Sequence, residues 1–435
     1  MTDDAGEGDS GSAEPTSYDL VIRGGRVIDR GGGLSGEFDV GVVGDRIASV
    51  GADLAIGSAS EIVDASGCIV VPGLVDLHTH IFPGGTFWGV DPEPVAWRTG
   101  VTTFVDAGST GAFSADAFLR HCADRASPRV YAFLNISTIG LVAETGESRR
   151  EELCDAKLAA ATIAAHRDFF VGVKCRLDRR AVGDMGLLPL HRAIEAADET
   201  ALPVMVHIGA GPPEIDEVLS LLRPGDLLTH CATGQSMALV DGEDRIRPSV
   251  TAARERGVLF DVGHGSGAFS FRVAEAMLAA GVLPDVISSD LHQRSILGPA
   301  FDLPTCLSKF LALGMSLEDV LAAATVNPAR AISRNGLGRL GVGGCADISV
   351  FEVEKGDVAF FDTELAERRA DRLLVSRATI VAGKQLPPVP PAPPARWIET
   401  TSRQDALLSE QRRSAEMRRP WVSRLGAAGD YVSYK

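Results

Sequence analysis

Long apolar runs and basic residues are both scarce in this sequence. No stretch approaches the ~18 consecutive apolar residues that a membrane-spanning helix requires, so we expect no membrane partner. Lys and Arg together number 42 against 58 Asp and Glu, which gives a formal net charge of −16. Because phosphate binding needs clustered Lys and Arg, we also expect no nucleic-acid partner.

Paired cysteines and a secretion signal are missing as well. The seven cysteines are odd in number and show no paired spacing, which is typical of reduced thiols rather than of a disulfide framework. Residues 1–17 are acidic and rich in Gly and Ser, without the basic start and apolar centre of a secretion signal. We therefore expect a disordered leader over residues 1–17 and a cytoplasmic protein.

A mostly apolar stretch, Ile69–His80, is typical of a buried strand and ends in two histidines one residue apart. Side chains at positions i and i+2 of a strand leave the same face, so His78 and His80 can point at one metal ion while Thr79 points away. A bare His-x-His pair is more often packed or surface-exposed, because short motifs match by chance. Polar residues at later strand ends favour the metal site.

Four later apolar runs also end in a polar side chain. Lys174, His207, His230 and Asp290 each close such a run, and a helix-like segment follows each of them. In a (β/α)8 barrel the C-terminal ends of the strands converge on one mouth, where active sites are built. Their order therefore predicts four imidazoles, one carboxylate and one lysine around a single point.

Alternating strands and helices over residues 72–339 predict an α/β fold, a (β/α)8 TIM barrel. Its strands are expected at Leu74–Leu77, Thr102–Asp106, Val130–Ile136, Val171–Lys174, Val204–Ile208, Leu227–His230, Leu259–Val262 and Val286–Ser289. Its clearest helices are expected at Arg149–His166, Leu188–Glu199, Pro213–Leu222, Arg247–Arg256, Phe269–Ala280 and Leu317–Ser333, the last with a break near Asn327-Pro328.

The two ends of the chain differ from this barrel pattern. Short strands broken by glycines over residues 18–71 and 340–385 predict that both ends combine into one small β-sandwich domain. Residues 386–435 form a C-terminal tail that opens with a proline-rich run, Leu386–Pro394, typical of an extended spacer. Thr400–Arg418 is polar and expected to be helical.

The sequence resembles the amidohydrolase superfamily of metal-dependent hydrolases over roughly Asp19–Lys384. The motifs that carry this resemblance are Pro72–His80, Lys174, His207, His230, Asp290 and the late helix Ala322–Ala331. Three further stretches are most similar to the deacetylase branch, which is often labelled dihydroorotase-like: Val171–Arg176, Asp261–Gly265 and Ser289–His292. The resemblance implies the same barrel and the same domain built from both chain ends.

The resemblance also implies a binuclear metal centre. His78, His80 and Asp290 would hold one divalent ion, and His207 and His230 would hold the other. Imidazole and carboxylate ligands favour zinc, although manganese, iron or nickel suits similar sites, and a mononuclear site with four ligands stays an alternative. An ammonium cannot be a ligand, whereas Lys174 carboxylated by CO2 (N6-carboxylysine) has two oxygens that can bridge two metals. Asp290 is the expected catalytic base and acid at a metal-bridging hydroxide.

Three residues are candidate contacts for a small-molecule substrate. Arg176 lies two residues beyond Lys174 and can hold a carboxylate, although a salt bridge at the barrel rim explains it equally well. His264 lies in a Gly-His-Gly turn, and His292 follows Asp290 closely. We expect a homo-oligomeric deacetylase acting on an acyl amide or ester, such as an N-acyl-D-amino acid or acylated hydroxy acid. The alternatives are a cyclic amide hydrolase of the dihydroorotase or hydantoinase type and a non-catalytic scaffold.

Overall fold

The computed structural model describes residues 17–54, 59–392, 394–400, 402, 404–406 and 409. The leader expected over residues 1–17, apart from Ser17, and most of the helix expected over Thr400–Arg418 lie outside these residues. In chain order, the strands are β1 (Leu20–Asp29), β2 (Leu34–Val43), β3 (Arg46–Gly51), β4 (Glu61–Asp64), β5 (Ile69–Pro72), β6 (Leu74–Thr79), β7 (Val101–Ala107), β8 (Arg129–Asn135), β9 (Phe170–Arg176), β10 (Val204–His207), β11 (Leu227–Thr229), β12 (Leu259–Asp261), β13 (Ile348–Phe361), β14 (Glu367–Val381) and β15 (Lys384–Gln385).

Eleven α-helices have both ends within the described residues, and positions 402, 404–406 and 409 are also helical. They are α1 (Pro92–Thr99), α2 (Ala115–His121), α3 (Ala156–Ala165), α4 (Arg179–Val182), α5 (Leu188–Thr200), α6 (Ile215–Leu221), α7 (Pro248–Glu255), α8 (Phe271–Ala279), α9 (Leu303–Ala312), α10 (Leu317–Ala322) and α11 (Val326–Ala331). No helix in this part of the chain is long and apolar enough to cross a membrane.

Strands β6 to β12 form a parallel sheet in which each strand pairs with the next in sequence. The strands alternate with helices, as the periodicity predicts, and apolar side chains fill the space inside the sheet and between sheet and helices. The predicted α/β barrel, with a small β domain built from both chain ends, is confirmed.

The eighth barrel strand is expected at Val286–Ser289, and this segment lies in the expected place without being a regular strand. We call Val286–Ser289 the seam. Val286 bridges to Asp261 on one side, and Leu291 bridges to Thr79 on the other, so the segment fills the gap between β12 and β6. Toward β6, the backbone N–H and the hydroxyl of Ser289 donate to the carboxylate of Asp76 instead of to backbone carbonyls. A side chain therefore replaces part of the ladder, which is why regular strand pairing is lost.

The strands at the two chain ends form one continuous mixed sheet in the order β15-β14-β13-β5-β1-β2-β3, with β4 also paired to β1. Residues from both ends share one core, among them Ile22, Val40, Ile348 and Ile380. The two ends therefore come together as the sequence predicts.

The last barrel helices differ from the expected Leu317–Ser333 helix in where the break lies. Helix α10 ends at Ala322 and α11 begins at Val326, so the interruption precedes Asn327-Pro328. Pro328 lies in the first turn of α11, where the missing N–H of a proline leaves no intrahelical bond unmade. The proline therefore helps to start the second helix rather than breaking the first.

A buried ion pair joins the barrel to the terminal sheet. The Asp347 carboxylate accepts from Arg129 of β8, with Nε and Oδ2 2.6 Å apart, and from the Ala382 backbone N–H at 2.8 Å. The Asp347 carbonyl also accepts from the Gly73 N–H at 2.8 Å, between β5 and β6. Asp347 thus holds the junction through both its side chain and its backbone.

We expect Asp347→Ala to lower the free energy of unfolding by about 2 kcal/mol, because it leaves buried donors and a charged guanidinium without their acceptor. Urea denaturation followed by circular dichroism measures this loss. Asp371→Ala is the matched control, because Asp371 pairs with Arg372 in an exposed position, and we expect no measurable change. Equal stabilities of the two variants would contradict a structural role for Asp347.

Candidate metal centre

Six side chains from five different barrel segments meet at the C-terminal mouth. His78 and His80 lie at the end of β6, Lys174 lies within β9, and His207 ends β10. His230 directly follows β11, and Asp290 follows the seam. His230 and Asp290 both have left-handed backbones, with φ of 67° and 46°. Such strained positions in non-glycine residues cluster at functional sites, because the surrounding structure must hold them.

Three of the six side chains direct a possible ligand atom toward the same point. The Nε2 atoms of His78 and His80 lie 3.4 and 3.3 Å from Oδ1 of Asp290, and one donor atom from each residue lies within 4.8 Å of the others. Ligands bound at ~2.1 Å to one tetrahedral ion lie about 3.4 Å from each other, so these separations fit a shared cation. His80 and Asp290 are less than one-tenth exposed.

The other two histidines face each other beside this trio. Nδ1 of His207 and Nε2 of His230 are 2.7 Å apart, and the imidazole rings of His78 and His230 have their centroids 5.1 Å apart. His207 is only partly buried, whereas His230 is fully buried. The four imidazoles therefore border one continuous space and not two separate sites.

Hydrogen bonds to protein oxygens orient three of the rings. Nδ1 of His230 lies 2.6 Å from the carbonyl oxygen of Gly263, and because a carbonyl can only accept, this nitrogen carries the proton. The hydroxyl of Thr229 donates to Asp261 at 2.6 Å and hence accepts from Nδ1 of His78 at 2.7 Å. Nδ1 of His80 contacts the hydroxyl of Ser109 at 2.9 Å. In each case Nε2 faces the shared space.

The histidines are also held neutral, which is the form that binds metals. Burial lowers the pKa of His80 to about 3 and that of His230 to about 4. Burial likewise lowers the pKa of His78 well below its ordinary value, with a further contribution from the nearby Lys174 charge. Each ring therefore keeps a lone pair at neutral pH.

Lys174 lies in the middle of this group. Its Nζ is 3.2 Å from Nε2 of His78 and 3.4 Å from the Met205 sulfur, and the residue is 2% exposed. Among the described residues, no carboxylate lies within ion-pair distance of this amine, so a structural salt bridge does not explain it. Burial lowers the pKa of Lys174 to about 8, which increases the fraction of neutral, nucleophilic amine.

The supporting groups Thr229, Asp261, Ser288 and Ser109 are functional candidates that the sequence reading missed. Asp261 accepts from both Thr229 and Ser288, at 2.6 Å each, and lies at the end of β12. The sequence signal that could have identified Asp261 is an acidic residue at the end of an apolar strand. Such a residue is expected to be buried, and an unpartnered buried carboxylate is costly. The hydroxyl groups carry no comparable signal.

Arg176, the first candidate substrate contact, lies at the mouth in a largely buried ion pair. Its Nε is 3.1 Å from Oε1 of Glu147, and its Nη2 donates to Thr145 Oγ1 at 2.6 Å and to the Glu144 carbonyl at 3.3 Å. Of the two alternatives from the sequence, the rim salt bridge is therefore present, and the contact with a substrate carboxylate stays a prediction.

His264, the second candidate, has its ring turned away from the mouth. Nε2 is 2.8 Å from Nζ of Lys309, Nδ1 is 3.0 Å from the Gly265 carbonyl, and the ring stacks on Phe269 with centroids 4.3 Å apart. Lys309 is fully buried and also donates to the carbonyls of Pro299 and Phe361. Any substrate contact in this turn would therefore come from its backbone. Lys309, a lone lysine in the apolar helix α9, was not predicted.

His292, the third candidate, borders the metal centre directly. Its Nδ1 accepts from the backbone N–H groups of Arg294 and Ser295, at 3.1 and 3.3 Å, so its proton is on Nε2. That Nε2 lies 3.9 Å from Oδ2 of Asp290. The ring also packs edge-on against Trp88, with centroids 4.7 Å apart. His292 thus presents an N–H donor beside the carboxylate of Asp290.

Comparison with known proteins assigns this fold and site to a family. The model of the amidohydrolase family matches residues 69–385, and the chain belongs to this family. It is 37% identical to a deacetylase from Agrobacterium fabrum over 80% of this chain and 86% of that protein. It is 34% identical to a deacetylase from Enterococcus faecalis over 84% of this chain and 98% of that protein.

Two solved structures are similar over most of the chain. A crystal structure of an adenine deaminase has a TM-score of 0.80 at 33% identity and covers 85% of this chain and 99% of its own. A crystal structure of a dihydroorotase has a TM-score of 0.79 at 35% identity and covers 84% of this chain and 97% of its own. The resemblance drawn from the motifs, and with it the prediction of a hydrolase acting on amide bonds, is confirmed.

We expect Thr229→Val to weaken metal binding roughly 10- to 100-fold, the usual effect of losing a group that orients a ligand. The substitution keeps the shape of the side chain but removes both the acceptor for His78 and the donor to Asp261. Competition with a metal chelator measures the affinity.

Thr103→Val is the matched control for this variant. Thr103 lies on β7, which pairs with the strand β6 that carries His78, and its buried hydroxyl has no hydrogen-bond partner among the described residues. We expect its metal affinity to equal that of the wild type. If Thr229→Val also retained full affinity in a folded protein, Thr229 would not orient His78.

Proposed function

We propose that this chain is a metal-dependent deacetylase that hydrolyses an acyl amide or ester of a small molecule. An N-acyl-D-amino acid or an acylated hydroxy acid is the proposed substrate. The observation that carries the proposal is the convergence of four neutral imidazoles, the Lys174 amine and the Asp290 carboxylate at one barrel mouth. Relatives at 34–37% identity that are named deacetylases support the reaction class.

The donor set fits divalent metal ions, and zinc is the ion that imidazole and carboxylate ligands favour. When bound, such ions act as Lewis acids on an acyl carbonyl and lower the pKa of bound water to about 7. His78, His80 and Asp290 would hold one ion, and His207 and His230 would hold a second.

Lys174 would join the two ion sites as a carbamate. Its neutral amine attacks CO2, and loss of one proton leaves an N-carboxylate with two oxygen donors. Burial supports this role, because the site lowers the pKa of the amine and provides no carboxylate partner of its own within the described residues. A carbamate would supply the anion that the four neutral imidazoles lack.

Asp290 has its two oxygens in different surroundings. Oδ1 faces the Nε2 atoms of His78 and His80, whereas Oδ2 faces the N–H of His292. We assign the acid–base role to this carboxylate: it accepts a proton from the attacking water and then donates it to the departing nitrogen or oxygen. The left-handed backbone at Asp290 holds the side chain in this position.

Arg176 and His292 are the proposed substrate-binding side chains. Arg176 can pair with a substrate carboxylate, although Glu147 already neutralises part of its charge. His292 can donate from Nε2 to a substrate oxygen close to Asp290. His264 would take part only through the backbone of its turn, because both of its ring nitrogens are engaged by Lys309 and Gly265.

We expect Asp290→Asn to lower kcat by roughly 10²- to 10⁴-fold, the usual contribution of a general acid–base group. Asn keeps an oxygen toward His78 and His80, so bound metal should be retained. Steady-state kinetics and metal analysis of the same preparation measure both quantities. Near-normal turnover with metal bound would remove Asp290 from the proton-transfer role.

A substrate panel separates this function from its alternatives. We expect turnover of N-acetyl-D-amino acids or acetylated hydroxy acids and little turnover of the N-acetyl-L-amino acids, which serve as matched controls. Hydrolysis of dihydroorotate or hydantoins instead would support the cyclic amide hydrolase, and release of ammonia from adenine would support a deaminase. A protein that binds about two metal equivalents per chain but turns over none of these compounds would contradict all three substrate assignments. A protein that binds no metal would support the scaffold.

A further inference from the structure

The proline-rich segment after the family domain returns to the barrel mouth. The family match ends at residue 385, and Leu386 is still tied to the terminal sheet by its N–H, which donates to the Thr379 carbonyl at 2.8 Å. Nine residues later, Ala395 contacts a mouth loop. An extended polyproline run of nine residues spans ~28 Å. We call the described residues 386–392 and 394–400 the strap.

Among the described residues, hydrogen bonds link the strap and the chain just after it to two mouth loops. The Ala395 N–H donates to Gln293 Oε1 at 2.7 Å, and the Trp397 indole donates to the Phe87 carbonyl at 3.2 Å. Beyond the strap, the amide of the buried Gln404 donates to the Arg294 carbonyl at 2.8 Å. Each acceptor lies either in the loop after β6 or in the loop after the seam.

Gln293 connects these two loops from a buried position. Its backbone N–H donates to the Trp88 carbonyl at 3.0 Å, and its side-chain amide donates to the Gly89 carbonyl at 2.9 Å. Its remaining oxygen accepts from Ala395 of the strap. A single glutamine therefore ties the loop after β6, the loop after the seam and the strap to one another.

The two loops carry the side chains that border the proposed substrate space. Trp88 packs against His292, and the guanidinium of Arg294 lies over the rings of Phe87 and Trp88, 5.4 and 5.2 Å from their centroids. Arg294 also pairs with Glu144, which lies in the loop between β8 and β9, at 2.6 Å. Anything that displaces the loops would displace His292 and Trp88 together.

We propose that the strap is part of the active-site mouth and that Ala395 and Trp397 are positioning residues, which hold the loops bearing Trp88 and His292 where the substrate binds. This inference rests on the proposed hydrolytic function of the site. The strap contacts none of the proposed metal ligands through these bonds, so it acts on substrate binding and not on metal retention.

The test uses the full-length double variant Ala395→Pro/Trp397→Ala. Proline suits the conformation of a proline-rich run but has no N–H to donate to Gln293, and Trp397 is half-exposed, so the core is left intact. Ala392→Pro is the matched control: this exposed residue lies in the same run, and its N–H makes no hydrogen bond found in the described part of the chain.

We expect the double variant to raise KM about tenfold, which corresponds to ~1.4 kcal/mol, with kcat and metal content unchanged. Hydrogen exchange should become faster in peptides covering residues 82–90 and 291–297. The Ala392→Pro control should match the wild type in both measurements. An unchanged KM, or unchanged exchange in the two loops, overturns the proposal.

The exchange measurement also separates this inference from the proposed function. If the wild type hydrolysed no acyl substrate, the deacetylase assignment would fail, while unchanged exchange would independently refute the contact between strap and loops. Loss of metal in the double variant would likewise contradict a role restricted to substrate binding.

Discussion

Closure of the barrel between β6 and the seam is the constraint on which the rest of the site depends. The His80 N–H donates to the Leu291 carbonyl at 2.8 Å, and Ser289 binds the Asp76 carboxylate. These bonds fix Asp290 one residue from each contact, which is why its Oδ1 reaches the histidines of β6. The carboxylate of Asp76 thus determines where the carboxylate of Asp290 lies, although the two residues are more than 200 positions apart in the chain.

The same logic of paired polar groups explains why so much of the interior at the mouth is polar. A histidine that presents Nε2 to a cation needs an acceptor for its Nδ1–H, and each acceptor needs its own partner. Thr229, Asp261 and Ser288 form such a chain behind His78. The cost of burying these groups is offset only because every donor meets an acceptor.

Much of this arrangement follows from sequence periodicity, and the rest does not. Residues that end apolar strands, such as His207 and Asp290, can be assigned to the mouth because parallel strands share one direction. Ring orientation is different: His264 lies in a Gly-His-Gly turn soon after a strand, yet its ring contacts Lys309 of a helix distant in sequence. Arg176 likewise has a partner, Glu147, that lies in an irregular loop. Contacts between irregular segments have no period from which to predict them.

The strap illustrates how a family fold acquires individual properties. Within the barrel, a change at one strand end disturbs several ligands at once, because the strands share a ladder and a core. The described residues of the strap after Leu386 belong neither to this ladder nor to this core, and they contact the mouth loops through hydrogen bonds to Gln293 and Phe87. A segment attached in this way can alter the loops that contact the substrate while leaving the metal ligands in place. Differences in substrate among relatives with one barrel therefore need no change in the catalytic centre itself.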